Sequence, residues 1–207
     1  MLMRSPPPAW RRRVPPGFIP PCQPVLADRV PSGDGWLHEL KHDGFRIGRD
    51  WSAEFVAITA ALRELPADFV LDGEAVAHCS QGLPDFHGLL GREGQRTACL
   101  YAFDLLHLRA TDLRPVELVG RRAMLKKLIR KAAPVPIFSE HMDAANGERM
   151  FRHACALGLE GIVSKRLDKP YKSGRCSSWV KVKNPGYERR TTSMPQRGAS
   201  LVRNRTR

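Results

Sequence analysis

The sequence predicts an α+β fold with largely antiparallel sheets flanked by helices, on three observations. Short apolar runs of strand-like composition recur through the middle of the chain, three other stretches carry helical spacing, and the two kinds mix without the strict alternation of a doubly wound sheet. The strand runs are residues 36–41, 69–77, 99–105, 161–165 and 178–183. Helical spacing links Phe55, Ile58, Leu62 and Leu65 behind a candidate cap at Ser52. It recurs at Leu118, Leu125, Leu128 and Ile129, and at Met150, Phe151, Ala154 and Leu157 ahead of Gly158.

The chain has 207 residues, enough for one substantial core, with 42% hydrophobic and 27% charged residues, the composition of a folded protein. Nine of its 17 prolines fall in residues 6–31, so this stretch forms neither a continuous helix nor a central strand. Residues 1–19 read as a flexible Pro/Arg-rich arm, 20–184 as the folded domain and 185–207 as a basic, disordered tail. A net charge of +13 points to a polyanionic partner, nucleic acid ahead of a membrane. Four arginines in residues 1–13, and six against one glutamate in residues 184–207, account for +9 of it and leave +4 on residues 14–183. No apolar run approaches the roughly 18–20 residues that span a bilayer, and Pro and Arg break the N-terminal stretch where a signal peptide needs apolar sequence; a cytoplasmic protein with no membrane partner is expected. The five widely spaced cysteines suggest reduced thiols.

Residues two apart in a strand share a face, so Glu39 and Lys41 of HELKHDGFR project together, with Leu37 beside them and Trp36, His38 and Leu40 opposite. Asp43-Gly44 then supplies a turn and Arg46 a fork of donors suited to phosphate or carboxylate. The segment reads either as a nucleophilic lysine with its supporting charges or as a surface hairpin with a salt bridge. In the run SSWVKVK, Trp179, Lys181 and Lys183 share one face and Val180 and Val182 the other; the lysines either meet an anion or guard a sheet edge. Glu160 in LEGIVSKR, and Asp72 with Glu74 in FVLDGEAV, place carboxylates against apolar strands, which suits either a bound cation or a buried ion pair. No G-x-x-x-x-G-K-[ST] loop occurs, so side chains must hold any phosphate.

In this order, HELKHDGFR, LDGEAVA, LYAFDLLHL, LEGIVSKR and SSWVKVKNP resemble the nucleotidyltransferase motifs of the ATP-dependent DNA ligases, most of all bacterial ligases related to the ligase domain of ligase D. Connecting text such as LPDFHGLL and YKSGRCSSW extends the similarity from about Pro20 to Asn184. The resemblance implies an ATP-grasp-like nucleotidyltransferase domain in which Lys41 attacks the α-phosphate of ATP, forms lysyl-AMP and releases pyrophosphate. The attacking amine must be neutral, and the cations around it favour that form. By the same resemblance Glu39 meets the adenine amino group, Arg46 and Glu74 the ribose side, and Phe103 stacks on the base. Glu160, with Glu74, holds Mg2+ or Mn2+, and Lys181 and Lys183 neutralise the α-phosphate. AMP then passes to the 5′-phosphate of nicked double-stranded DNA and the strand is sealed, in DNA repair by a nucleoid-associated bacterial protein. End-joining repair proteins or a separate OB-fold protein are the candidate partners of an expected monomer.

Two departures from the family pattern qualify this expectation. A strand pair and an Arg-Asn motif that relatives carry are missing between Ile47 and Gly48. Relatives also continue into an OB-fold barrel, where only 24 residues follow Lys183 here, so a slow or absent first step is expected even where ATP binds. Two alternatives stand beside a sealing enzyme: an impaired ligase remnant that binds DNA or a partner, and an enzyme with an RNA acceptor, which LPDFHGLL and WVKVKNP match less well.

Overall fold

A computed structural model of the chain describes residues 19–46, 52–65, 68–130 and 135–187. The junction of Ile47 and Gly48, residues 1–18 of the arm and residues 188–207 of the tail lie outside the described residues. The elements, in order, are β1 (Cys22–Leu26), β2 (Trp36–Leu40), β3 (Phe45–Arg46), α1 (Val56–Arg63), β4 (Phe69–Val76), α2 (Arg92–Thr97), β5 (Cys99–Leu108), β6 (Thr111–Asp112), α3 (Leu118–Ile129), β7 (Ile137–Phe138), β8 (Met142–Asp143), α4 (Gly147–Ala156), β9 (Gly161–Arg166) and β10 (Gly174–Lys183). Two sheets result, one in the order β1-β10-β9-β2-β8 and one in the order β3-β4-β5-β6 with β7 also on β5. All pairs are antiparallel except β1 with β10 and β5 with β7. Pro24 lies in β1 at a sheet edge, the position in which a strand tolerates a residue without N–H.

Alternation sorts the core. One face of the first sheet sends Ile162, Val180 and Val182 onto Met150 and Ala154 of α4. The second sheet packs its outer face on α1, where Ala75 and Leu100 meet Phe55 and Ile58, and on α3, where Ala102 and Leu105 meet Leu125 and Ile129. Between the sheets, Cys22, Cys176 and Trp179 of the first meet Phe103 and Leu106 of β5. The β4–β5 register shifts twice, and the pairing skips Phe103 and Leu106. Each shift turns an inward side chain toward the opposite sheet, as a bulge does.

All five expected strands and the three expected helices form, with two changes. Helix α1 begins at Val56 behind Phe55 with no side-chain cap, so Ser52 is not its cap. Strand β10 starts four residues earlier than its apolar pattern, because Gly174 to Cys176 pair with Cys22 to Pro24 of β1. Among the described residues, no helix is long and apolar enough to cross a membrane.

Candidate active site

A cleft of about 240 Å³ opens between the inner faces of the two sheets. Six of the eight residues singled out in the sequence line it: Glu39, Lys41, Arg46, Glu74, Phe103 and Lys181. Strands β2 and β10 deliver their side chains by alternation, and Trp179 and Val163 complete the apolar part of the wall. The other two residues, Glu160 and Lys183, meet each other, and Glu160 also meets Lys41. Lys41 Nζ is 2.6 Å from Glu160 Oε2, and Lys183 Nζ is 3.7 Å from Glu160 Oε1.

Lys41 follows β2 directly, and its N–H donates to Gly161 O at 2.9 Å, so the nucleophile candidate is tied to the start of β9. Gly161 has φ +135°, and a Cβ there would lie 2.1 Å from Val182 O; only glycine lets β9 and β10 close at this point. The Lys41 side chain retains 20% exposure, enough for an incoming electrophile, whereas Glu160 is 9% exposed. The next residue, His42, stacks on Tyr101 at 4.1 Å between centroids. Burial, then the charges of His78, Lys165 and Lys41, push it down to about 4, so it adds no charge beside the lysine at neutral pH.

Glu74 accepts from Gly44 N–H at 3.0 Å. A Cβ on Gly44 would stand 2.2 Å from Ala75 O, so the turn after Lys41 requires glycine to pass this close to β4. Burial pushes the Glu74 carboxyl up to about 7, against the pull of Lys41 and the Gly44 N–H. The folded chain therefore holds this proton more tightly than the unfolded chain, whose value is near 4.5. The stability that follows is complete below about pH 4.5 and is lost as pH rises through about 7. Glu74→Gln is expected to flatten this fall, so urea midpoints of wild type and variant should converge at acid pH and separate in the variant's favour above pH 7. Parallel curves across that range would contradict the assignment.

Arg46 is fixed on the opposite wall. Its Nε donates to Asp72 Oδ1 at 2.8 Å, Nη2 to Asp72 Oδ2, and Nη1 to Cys22 O. Tyr171 Oη donates to Asp72 Oδ2 at 2.8 Å and accepts from Cys22 N–H at 2.8 Å, which closes the network onto β1. Phe103 is 8% exposed, with Lys165 Nζ 4.1 Å and the Arg46 guanidinium 5.4 Å from its ring centroid. Glu39 is 2% exposed and bridges two cations, Arg122 Nη1 at Oε1 and Lys165 Nζ at Oε2.

Lys165 and Arg122 belong to the site as well, beyond the eight residues expected from sequence. Lys165 is legible in the sequence, since Val163 and Lys165 share the alternating face of LEGIVSKR that enters the cleft. Arg122 carries no such signal, because its partner is 83 residues away.

Among the described residues, no three or more His, Cys, Asp and Glu side chains gather as a metal site. Glu74 and Glu160 do feel each other's charge beside Lys41, and such a pair suits an ion that keeps water and substrate phosphate in its remaining positions.

A partly exposed lysine amine thus stands in a cleft between two mostly antiparallel sheets, with Arg46, Lys165 and Lys181 on the same walls. Residues 44–183 match the ATP dependent DNA ligase domain, and the chain belongs to that family. It is similar to the multifunctional non-homologous end joining protein LigD of Pseudomonas aeruginosa, at 34% identity over 187 residues, which is 81% of this chain and 22% of that protein. The LigD protein of Mycobacterium tuberculosis is 34% identical over 167 residues, covering 72% of this chain and 22% of its own length. The crystal structure of the ligase domain from M. tuberculosis LigD matches with TM-score 0.65 at 31% identity, over 79% of this chain and 59% of that one. A mycobacterial DNA ligase D complexed with ATP and MES gives 0.62 at 31% identity, over 77% and 60%. The chain thus spans about a fifth of the end-joining proteins and less than two thirds of the solved ligase domains.

Proposed function

We propose that this chain is a DNA ligase adenylation domain that uses ATP to charge Lys41 with AMP and passes the AMP to the 5′-phosphate of nicked duplex DNA during end-joining repair. The observation that carries the reading is the Lys41 amine, 2.6 Å from a carboxylate in a cleft that Arg46, Lys165 and Lys181 also line. The amine attacks the α-phosphorus, an N–P bond forms, and the bond to the β-phosphate oxygen breaks with its electron pair leaving on pyrophosphate. Glu160 is placed to take the proton that the amine loses. Lys181 and Lys183 balance charge on the α-phosphate, and Arg46, fixed by Asp72, lies with Glu74 on the ribose side. Phe103 and Val163 offer apolar surface to the base, and Glu39 an acceptor to its amino group. Glu160 and Glu74 would hold Mg2+ or Mn2+, which neutralises phosphate charge when bound. The ATP complex of the mycobacterial ligase and the end-joining names of the relatives support the choice of nucleotide and pathway. End-joining proteins or a separate OB-fold protein are the partners that fit it, in the bacterial cytoplasm at the nucleoid.

Incubating the full chain with α-labelled ATP and MgCl2 should attach label that survives alkali and is released by acid, as a phosphoramidate requires. Protein that never labels, with or without nicked DNA, overturns the reading.

A further inference from the structure

The Glu39 carboxylate is held by two side chains of different origin that the proposed reaction leaves without a role. Arg122 comes from α3, behind the second sheet, and is 4% exposed. Besides Glu39 Oε1, its Nη1 donates to Phe103 O at 3.1 Å. Its Nη2 donates to Ser139 O at 2.7 Å and lies 3.2 Å from His141 Nδ1, and the guanidinium sits 4.6 Å from the Phe138 ring centroid. Lys165 comes from β9, is 2% exposed, meets Glu39 Oε2, and holds its Nζ 4.1 Å from the ring centroids of both Phe103 and Trp179. One arginine thus grips both the carboxylate assigned to the edge of the base and the backbone of the ring assigned to its face.

We propose that Arg122 and Lys165 are positioning residues that set the choice of base, holding Glu39 as a carboxylate that accepts hydrogen bonds and has none to donate. The inference rests on the adenylation reading. A carboxylate gripped at one oxygen by each cation cannot rotate about its terminal torsion, so its remaining lone pairs keep one direction into the cleft. A 6-amino purine presents a donor to those lone pairs. A 6-oxo purine presents another acceptor, and the buried carboxylate then loses a partner while two sets of lone pairs face each other. With one grip removed, the carboxyl can turn, and the distinction between amine and carbonyl fades. Arg122 also fixes the Phe103 carbonyl, so edge and face of the base are held in register by a single side chain.

The test measures equilibrium binding of ATP and of its 6-oxo analogue ITP to the full chain, for wild type, Arg122→Lys, Arg122→Met and Lys165→Met, with a melting curve for each. Wild type is expected to favour ATP by about tenfold or more, the scale of a hydrogen bond to a charged partner. Arg122→Met and Lys165→Met should bring that ratio close to one, chiefly by weakening ATP. Arg122→Lys, which keeps the charge but not the fork, should fall between, and it carries the test if the methionine variants fail to fold. Variants that bind both nucleotides more weakly by one common factor, or that melt lower with the ratio intact, would overturn the inference and leave Arg122 and Lys165 as packing residues. Wild type that labels with ATP but shows no ATP preference overturns the inference alone, whereas wild type that binds neither nucleotide overturns the adenylation reading as well.

Discussion

Lys41→Ala and Lys41→Arg each eliminate the covalent AMP adduct, to below detection by intact mass, while the protein keeps its melting temperature within a few degrees. The expectation follows from where the amines of the cleft stand. Lys165 is 2% exposed, bound to Glu39 and enclosed by Phe103 and Trp179, so an electrophile cannot reach it without breaking a buried ion pair. Lys181 lines the cleft from β10, but the cations that pair with Glu160 are Lys41 and Lys183. Lys41 alone among these three combines an open side chain with a base at 2.6 Å. Arginine at this position stays protonated at any working pH and has no free lone pair, so conserving charge does not rescue the reaction. Glu160 is buried, so losing Lys41 would strand its charge were no second cation in reach, and it is that second cation that lets the fold tolerate either change. Glu160 keeps Lys183 at 3.7 Å. Label that persists in Lys41→Ala, mapped by peptide mass spectrometry to Lys181 or Lys183, would refute the assignment of the nucleophile.

Legibility in the sequence tracks the range of the interaction. Strands β2, β4, β5, β9 and β10 announce themselves because one face of each is apolar, and the same alternation brings Glu39 with Lys41, and Trp179 with Lys181, to one cleft. The two-residue strands β3, β6, β7 and β8 are too short to show a period; only their partners define them. Helix α2 buries none of its residues and so has no apolar stripe to read. Helix α3 reads from the apolar spacing of Leu118, Leu125, Leu128 and Ile129, yet Arg121 and Arg122, which that spacing leaves out, are both buried. Their burial depends on Asp104 and Glu39, carboxylates in strands far along the chain, and no local pattern contains that information. The lysine, its supporting carboxylates and Lys165 belong to short motifs and can be found; Arg122, which reaches Glu39 from α3, comes from elsewhere and cannot.

The largest stability effect is expected at the other arginine of that pair. Arg121 and Asp104 are fully enclosed, with Nε and Nη2 each 2.7 Å from a carboxylate oxygen. Arg121 Nη1 also donates to Val116 O at 2.5 Å and Lys169 O at 3.3 Å, and Asp104 Oδ1 accepts from Leu105 N–H at 2.8 Å. Arg121→Met leaves a buried carboxylate with one backbone donor, and breaking such a pair costs about 3–5 kcal/mol, a large share of the 5–15 kcal/mol that holds an ordinary domain together. Adding Asp104→Leu should recover most of the loss, because an apolar pair of similar volume is often neutral there; urea unfolding of the two single variants and the double closes the cycle. Burial already pushes the Asp104 carboxyl up against the pull of Arg121. With the arginine gone it rises further, so the variant's stability is full below the ordinary carboxylate range and is lost as pH rises through the new folded value. The penalty of Arg121→Met should therefore shrink steadily as pH falls toward 4, and a penalty independent of pH would mean lost packing rather than a stranded charge. Asp104 directly follows Phe103, and Arg122 directly follows Arg121. The pair that anchors α3 to β5 thus also sets the strand position from which Phe103 turns inward and the helix position from which Arg122 reaches Glu39, so a destabilised anchor should loosen nucleotide binding before the domain as a whole unfolds.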